Sequence, residues 1–314
     1  MISKYTKTPV RVIYIMGYGR SGSTVLDAVL GSHRDIESVG ELVNLPRNGW
    51  INNEYCACKQ RINNCSFWEE VKKVWRQKTG IDDVQEYIDL EDALQRNRKI
   101  FQGFSKPNIL SHEFKAYAQL THSLYKSILD VSGKSIIVDS SKNPLRAFIL
   151  SFIPGIDLYL IHLVRDGRGV AWSRKKSFIK NERQGVQRDL RAHPVWKTAI
   201  AWLYKNMKST WVKRQFKKEK SIQIRYEDFV LQPENTLLKI GGLVGVCFNE
   251  VFNAIQNGES LNFGHTVAGN RLRMSGKFKL QLDEEWKEKL TKVEQLEFCI
   301  ISGWLLKKYK YNLY

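Results

Sequence analysis

The sequence predicts an α/β fold: a three-layer sandwich in which helices cover both faces of a mostly parallel central sheet, interrupted by a helical insertion. Three observations predict it. Four apolar runs, at 10–16, 134–139, 157–164 and 221–225, each stop at a polar or glycine-rich turn and pass into a helical pattern. The first of these turns carries three glycines in six residues, 17–22. Residues 50–130 show helical periodicity with little strand pattern. Strands that alternate with helices imply right-handed crossovers and a parallel sheet buried on both faces.

Each element has its own justification. Val10–Met16 is β-branched and apolar, and from Ser23 the residues Val25, Leu26, Val29 and Leu30 recur at helical spacing. Ile36–Val39 is a short strand-like stretch that ends at Gly40-Glu41. In the insertion, Trp68, Val71, Val74 and Trp75 share one helix face, as do Leu120, Leu124 and Ile128, and both stripes read as core. The second run ends at Asp139 and is followed by Ser140-Ser-Lys-Asn-Pro144. The third stops at Arg165-Asp-Gly-Arg-Gly169 and leads into a helix over 170–176. The fourth leads to Tyr226-Glu-Asp228, where Asp228 reads as a helix cap. No repeat or linker divides the chain, so 1–314 reads as one domain, with 50–130 placed above the strand ends to shape a substrate pocket.

Composition narrows the function. At 43% hydrophobic the chain can bury a substantial core, and no run of 18 apolar residues suggests a membrane span. The first 20 residues place Lys4, Lys7 and Arg11 before a short apolar run, which is not the order of a signal peptide, so a cytoplasmic protein is expected. The net charge of +18 favours capture of anionic small molecules and leaves room for peripheral membrane contact. Seven basic residues against one acidic between Lys205 and Lys220 read as a solvated helix face. No nucleic-acid-binding signature is present, and nucleic acid is not an expected partner. Cys56, Cys58 and Cys65 form C-x-C-x6-C, but a structural zinc site wants four ligands and no fourth lies nearby in sequence. They read as ordinary thiols with a local packing role, and no metal is expected.

The stretch I-Y-I-M-G-Y-G-R-S-G-S-T, residues 13–24, carries the chemistry. A glycine turn between a strand and a helix aims backbone N–H groups at one spot, where the helix dipole adds positive potential. Gly17, Gly22 and Thr24 are spaced as in a nucleotide-binding P-loop, yet Ser23 stands where such a loop needs its lysine. That lysine neutralises the β- and γ-phosphates, so its absence argues against a triphosphate. A single 5′-phosphate extended by a less charged group suits the loop better.

Gly19-Arg-Ser-Gly-Ser-Thr24 resembles the 5′-phosphosulfate loop of sulfotransferases that use 3′-phosphoadenylyl sulfate (PAPS). It is similar to the tyrosylprotein sulfotransferases and to a broad group of bacterial sulfotransferases. Leu163-Val-Arg-Asp-Gly-Arg-Gly-Val-Ala-Trp-Ser173 resembles that family's 3′-phosphate motif, which implies that Arg165 and Ser173 share the 3′-phosphate. Guanidinium suits phosphate bidentately, and an arginine at the carboxyl end of a strand sits where open α/β sheets bind ligands. Ser140-Ser-Lys-Asn-Pro144 resembles the family's S-K-x-P element, and His265–Arg273 its C-terminal H-x-x-x-G-N-x-x-R element. The resemblance covers about residues 10–290 and is loose over 50–130.

It implies a P-loop-type fold and transfer of a sulfuryl group from PAPS, leaving 3′-phosphoadenosine 5′-phosphate (PAP), to the hydroxyl or amine of a small metabolite, saccharide or lipid. Gly40-Glu41 resembles the family's G-E element, whose glutamate is the general base, so Glu41 takes that role. Lys142 would stabilise the departing phosphate oxygen. Arg20 would neutralise the 5′-phosphosulfate, with Gly19, Ser21, Gly22, Ser23 and Thr24 supplying amides and hydroxyls. Arg271 and Arg273 are candidates to reach the 3′-phosphate from the C-terminal element, and the sequence does not decide which of them points inward. Six histidines are weaker candidates for the base than Glu41. A degenerate P-loop kinase and a non-catalytic nucleotide-binding protein are the competing readings.

Overall fold

The computed structural model describes residues 8–96 and 106–313; Lys4 and Lys7 lie outside the described residues. All four apolar runs form strands, as does the stretch before Gly40. In chain order the elements are β1 (Val10–Met16), α1 (Ser23–Gly31), β2 (Ile36–Gly40), α2 (Ser66–Thr79), α3 (Val84–Arg96), α4 (His112–Ser132), β3 (Ile136–Lys142), α5 (Pro144–Leu150) and β4 (Ile156–Val164). There follow α6 (Gly167–Lys175), α7 (Val195–Arg214), β5 (Ser221–Arg225), α8 (Tyr226–Leu231), α9 (Pro233–Val244) and α10 (Asn249–Gln256). The chain ends with a two-residue pair, β6 (Leu261–Asn262) and β7 (Lys277–Phe278), and helices α11 (Trp286–Lys289) and α12 (Lys292–Lys308).

The central sheet has the order β2-β3-β1-β4-β5, and every neighbouring pair is parallel. Period-two alternation along β1 divides the core between the two layers. Val12, Tyr14 and Met16 face Trp68, Trp75 and Leu124 of the α2–α4 layer. Ile13 and Ile15 face Leu26 and Val29 of α1 and Phe229 and Ile240 beyond β5. The apolar stripes of the insertion are therefore core, with Trp68, Val71, Trp75, Leu124 and Ile128 fully buried.

Three local expectations are corrected. β3 does not stop at Asp139 but continues through Lys142, with an irregular register opposite Met16. Asp228 is not a cap: α8 already begins at Tyr226, so Asp228 sits in the first turn, where its charge complements the dipole and pairs with Arg225 at 3.6 Å. Lys205 does not lie on a solvated face. Burial and then the Lys142 charge pull its ammonium down to about 8. None of the described helices is long and apolar enough to cross a membrane.

Candidate active site

All five parallel strands deliver a residue to one place at their carboxyl ends, the position where open α/β sheets bind ligands. The glycine loop follows β1, Glu41 follows β2, Lys142 closes β3, Arg165 follows β4 and Tyr226 follows β5. Together with the segment 269–283 they line a cavity of about 720 Å³.

The loop is shaped by contacts that only glycine permits. Gly22 has φ +90°, and a Cβ there would lie 2.4 Å from the Tyr226 ring. Gly22 caps α1 with no side-chain bond, and the first turn has no acidic residue. The leading amides thus have no competing carboxylate, which leaves them suited to an external anion. Arg20, Gly19, Ser23 and Thr24 line the cavity. Ser21 is buried instead, and its hydroxyl has no hydrogen-bond partner among the described residues.

Gly40 performs a second steric task. Its φ is +72°, and a Cβ would lie 2.4 Å from the Val267 carbonyl oxygen. The close approach lets Val267 dock beside β2, where the Glu41 amide donates to the Val267 carbonyl at 2.9 Å. Glu41 is thereby held with its carboxylate toward the cavity. The Asn44 side-chain amide donates to it at 3.0 Å, and the Lys142 ammonium pairs directly with it. Thr24 closes the group: its hydroxyl accepts from the Asn270 amide at 3.3 Å.

Arg165 meets the glycine loop rather than standing apart from it. Its guanidinium donates to the Arg20 carbonyl at 3.2 Å, pairs with Asp283 at 3.0 Å and lies 4.7 Å from the centre of the Tyr226 ring. Ser173, two turns into α6, lines the same cavity. Burial, then the charges of Arg174 and Arg271, push the Arg20 pKa below its ordinary value. Three guanidinium groups crowded in this way have the charge to suit a multiply charged anion.

The two C-terminal arginines separate. Arg271 lines an adjoining chamber of about 480 Å³ that shares Arg20, Ser173 and Asn270 with the main cavity. Arg273 does not reach the walls of either. It is 1% exposed, and its guanidinium donates to the Tyr55 carbonyl at 2.7 Å. Sequence reasoning missed Arg174, Arg188, Lys277 and Lys279, which add positive charge to the main cavity. Arg174 directly follows Ser173 and could have been found there; the others carry no local signal. Of the insertion, Tyr55–Asn64 lines a neighbouring hollow of about 410 Å³ together with Arg183 and Met274. None of the six histidines lines the two chambers. His162, for instance, is fully buried against Asn206, and burial pulls its pKa down to about 4.

Beneath the site, Asp27 of α1 accepts hydrogen bonds from Ser38 of β2 and Ser140 of β3, fixing the helix behind the loop to both strands. Burial raises its carboxyl to about 7, against the pull of those two hydroxyls. A carboxyl raised on folding adds stability below its unfolded value, and that contribution is lost as pH rises through its folded value. Asp27→Asn removes the titration. The stability of the wild type relative to Asp27→Asn is therefore expected to fall by about 3 kcal/mol between about pH 5 and pH 8. Denaturant melts of both proteins at the two pH values check this; a constant difference contradicts it.

Residues 12–250 match the model of the sulfotransferase family. No curated protein sequence matches the chain. Among solved structures, the sulfotransferase domain of the Synechococcus PCC 7002 olefin synthase superposes with a TM-score of 0.52 at 20% identity, covering 98% of this chain and 97% of that one. The sulfotransferase domain from the curacin biosynthetic pathway gives a TM-score of 0.52 at 19% identity, covering 98% of this chain and 100% of that one. These likenesses agree with the fold built up above from its strands. With three quarters of its length matched by one family model, and the anion-binding loop at the head of that match, the chain belongs to the sulfotransferase family.

Proposed function

We propose that the protein transfers the sulfuryl group of PAPS to a hydroxyl, or an amine, of a small metabolite, saccharide or lipid in the cytoplasm. The observation that carries this reading is the pairing of Glu41 with Lys142 in a cavity whose other walls are the lysine-free glycine loop and Arg165. Gly19, Arg20, Gly22, Ser23 and Thr24 would hold the 5′-phosphosulfate, with the buried Ser21 hydroxyl as a further donor within the loop. Arg165, Ser173 and Arg271 would hold the 3′-phosphate. Bound there, PAPS supplies an activated sulfuryl group on a good phosphate leaving group.

The protein's own residues then do three things. Glu41 takes the proton of the acceptor as its oxygen or nitrogen bonds to sulfur. Lys142 leaves Glu41 for the bridging oxygen, and neutralises the charge that collects there as the sulfur–oxygen bond breaks. Arg20 offsets the charge of the equatorial oxygens. The acceptor would enter the main cavity on the side of Glu41 and Lys142, leaving the adjoining chamber, which holds Ser173 and Arg271, to the 3′-phosphate end of the nucleotide. Residues 50–130 contribute to acceptor choice through the Tyr55–Asn64 edge.

PAP is expected to raise the melting temperature saturably, and ATP with Mg²⁺ to leave it unchanged; Arg165→Ala removes most of the PAP effect. Thermal shift assays with each nucleotide test the reading, followed by an acceptor screen with labelled PAPS. Stabilisation by ATP with Mg²⁺ and none by PAP would favour a kinase. Tight PAP binding without turnover on any acceptor would favour a binding protein.

A further inference from the structure

We propose that Cys56, Cys58, Cys65 and His265 form a structural zinc site that clamps the start of the helical insertion to the loop carrying Gly269 and Arg271. The three cysteines are drawn together by backbone geometry. The Cys56 amide donates to the Gln60 carbonyl and the Lys59 amide to the Cys56 carbonyl, both at 2.9 Å, with Lys59 at φ +70°. This tight turn holds Cys56 and Cys58, and Cys65 stands immediately before α2. The fourth group arrives from 200 residues away. The Ala57 amide donates to the Thr266 carbonyl at 3.1 Å, and the Trp68 indole donates to the His265 carbonyl at 2.7 Å. Phe67 stacks on the imidazole at 4.9 Å between ring centres. A single-sequence search for nearby ligands could not find a histidine this remote.

The distances fit a shared cation better than a hydrogen-bonded cluster. The four donor atoms all lie within 4.8 Å of one another. His265 Nδ1 faces two sulfurs, Cys65 Sγ at 3.2 Å and Cys56 Sγ at 3.8 Å, while Cys58 Sγ lies 3.6 Å from Cys65 Sγ. One imidazole nitrogen carries one proton or one lone pair, so it serves one thiol well and not two. A tetrahedron with ordinary zinc–sulfur and zinc–nitrogen bonds has edges of about 3.5 to 3.8 Å, so two of these three separations already fit and small side-chain rotations would bring in the rest. A disulfide between Cys58 and Cys65 would need the sulfurs at about 2.05 Å and would leave the other two donors unused.

A second observation concerns charge. Three thiolates and a neutral imidazole around Zn²⁺ carry a net charge of −1, the three thiol protons leaving to solvent. Arg273 is buried beside Tyr55 with its Nε lacking any acceptor among the described residues, and Cys56 and Cys58 are among the groups whose charge acts on it, with Glu54 and Glu41. An anionic centre would give this guanidinium the counter-charge its position calls for. Arg273 thus belongs to the clamp rather than to the cavity.

The test needs no nucleotide, so it stands apart from the transfer reaction. The full chain, purified under reducing conditions without chelator, is expected to carry about one equivalent of zinc. Cys58→Ser and His265→Ala should lose most of it, and Cys247→Ser should keep it, since Cys247 lies outside the cluster. Cobalt exchanged into the wild type should give the intense visible bands of a tetrahedral thiolate site, and removal of metal should lower the melting temperature by several degrees. A wild-type protein that holds no zinc after dialysis against it and gives no cobalt bands overturns the proposal, and so does a Cys58–Cys65 disulfide in folded protein. These wild-type measurements decide the matter even if a variant fails to fold.

Discussion

Glu41→Gln is expected to lower turnover by about 10²- to 10⁴-fold while PAP affinity stays within a few-fold of the wild type. Glutamine keeps the shape of the side chain and its contact with Asn44 but cannot accept a proton. The loss should therefore fall on kcat and not on nucleotide binding, since the loop and Arg165 are untouched. Single-turnover transfer of labelled sulfuryl, alongside calorimetric titration with PAP, separates the two. Full turnover at saturating nucleotide would remove Glu41 from the chemistry, even in a protein whose family is secure.

Lys142→Met is expected to cost about 10²- to 10³-fold in kcat, the scale of one preorganised donor at a developing oxyanion. The φ of Lys142 is +64°, a conformation that non-glycine residues seldom adopt. That geometry turns the side chain from the end of β3 toward Glu41, and methionine at the same backbone would fill the space without the charge. Because Lys142 and Glu41 touch, their effects should not add: the double variant is expected to lose less than the product of the two single losses. Strictly multiplicative losses would mean that the two groups act independently, contrary to the paired arrangement.

Much of this was legible in the sequence because it is encoded locally. The β-branched runs declare their strands, and the glycine loop, Glu41, Lys142 and Arg165 each sit at the end of one. Strand ends in a parallel sheet lie along one edge, so these four share that edge by topology, and the order β2-β3-β1-β4 makes them neighbours. What stayed hidden depends on how distant segments dock. Arg271 and Arg273 are two residues apart on a 3₁₀ turn, which sends their side chains in directions roughly 120° apart, and only packing decides which one faces the cavity. Lys205 looks like any lysine on a basic helix until α7 is laid near the end of β3. His265 meets Cys65 through a contact with no trace in local pattern. Asp228 was misread as a cap because its residue type fits both the cap and the first turn; the difference is where Tyr226 begins to coil.

The bridge between Gly40 and Val267 has a consequence for how the molecule becomes competent. The central sheet is complete once β5 is made, yet the surface that backs Glu41 and roofs Thr24 comes from residues 267–270, well beyond it in the chain. Assembly of the scaffold and completion of the reaction chamber are thus separate events in the life of the chain. A ribosome-bound intermediate can own every strand of the central sheet and still lack an enclosed chamber, which closes only once residues 267–270 have docked.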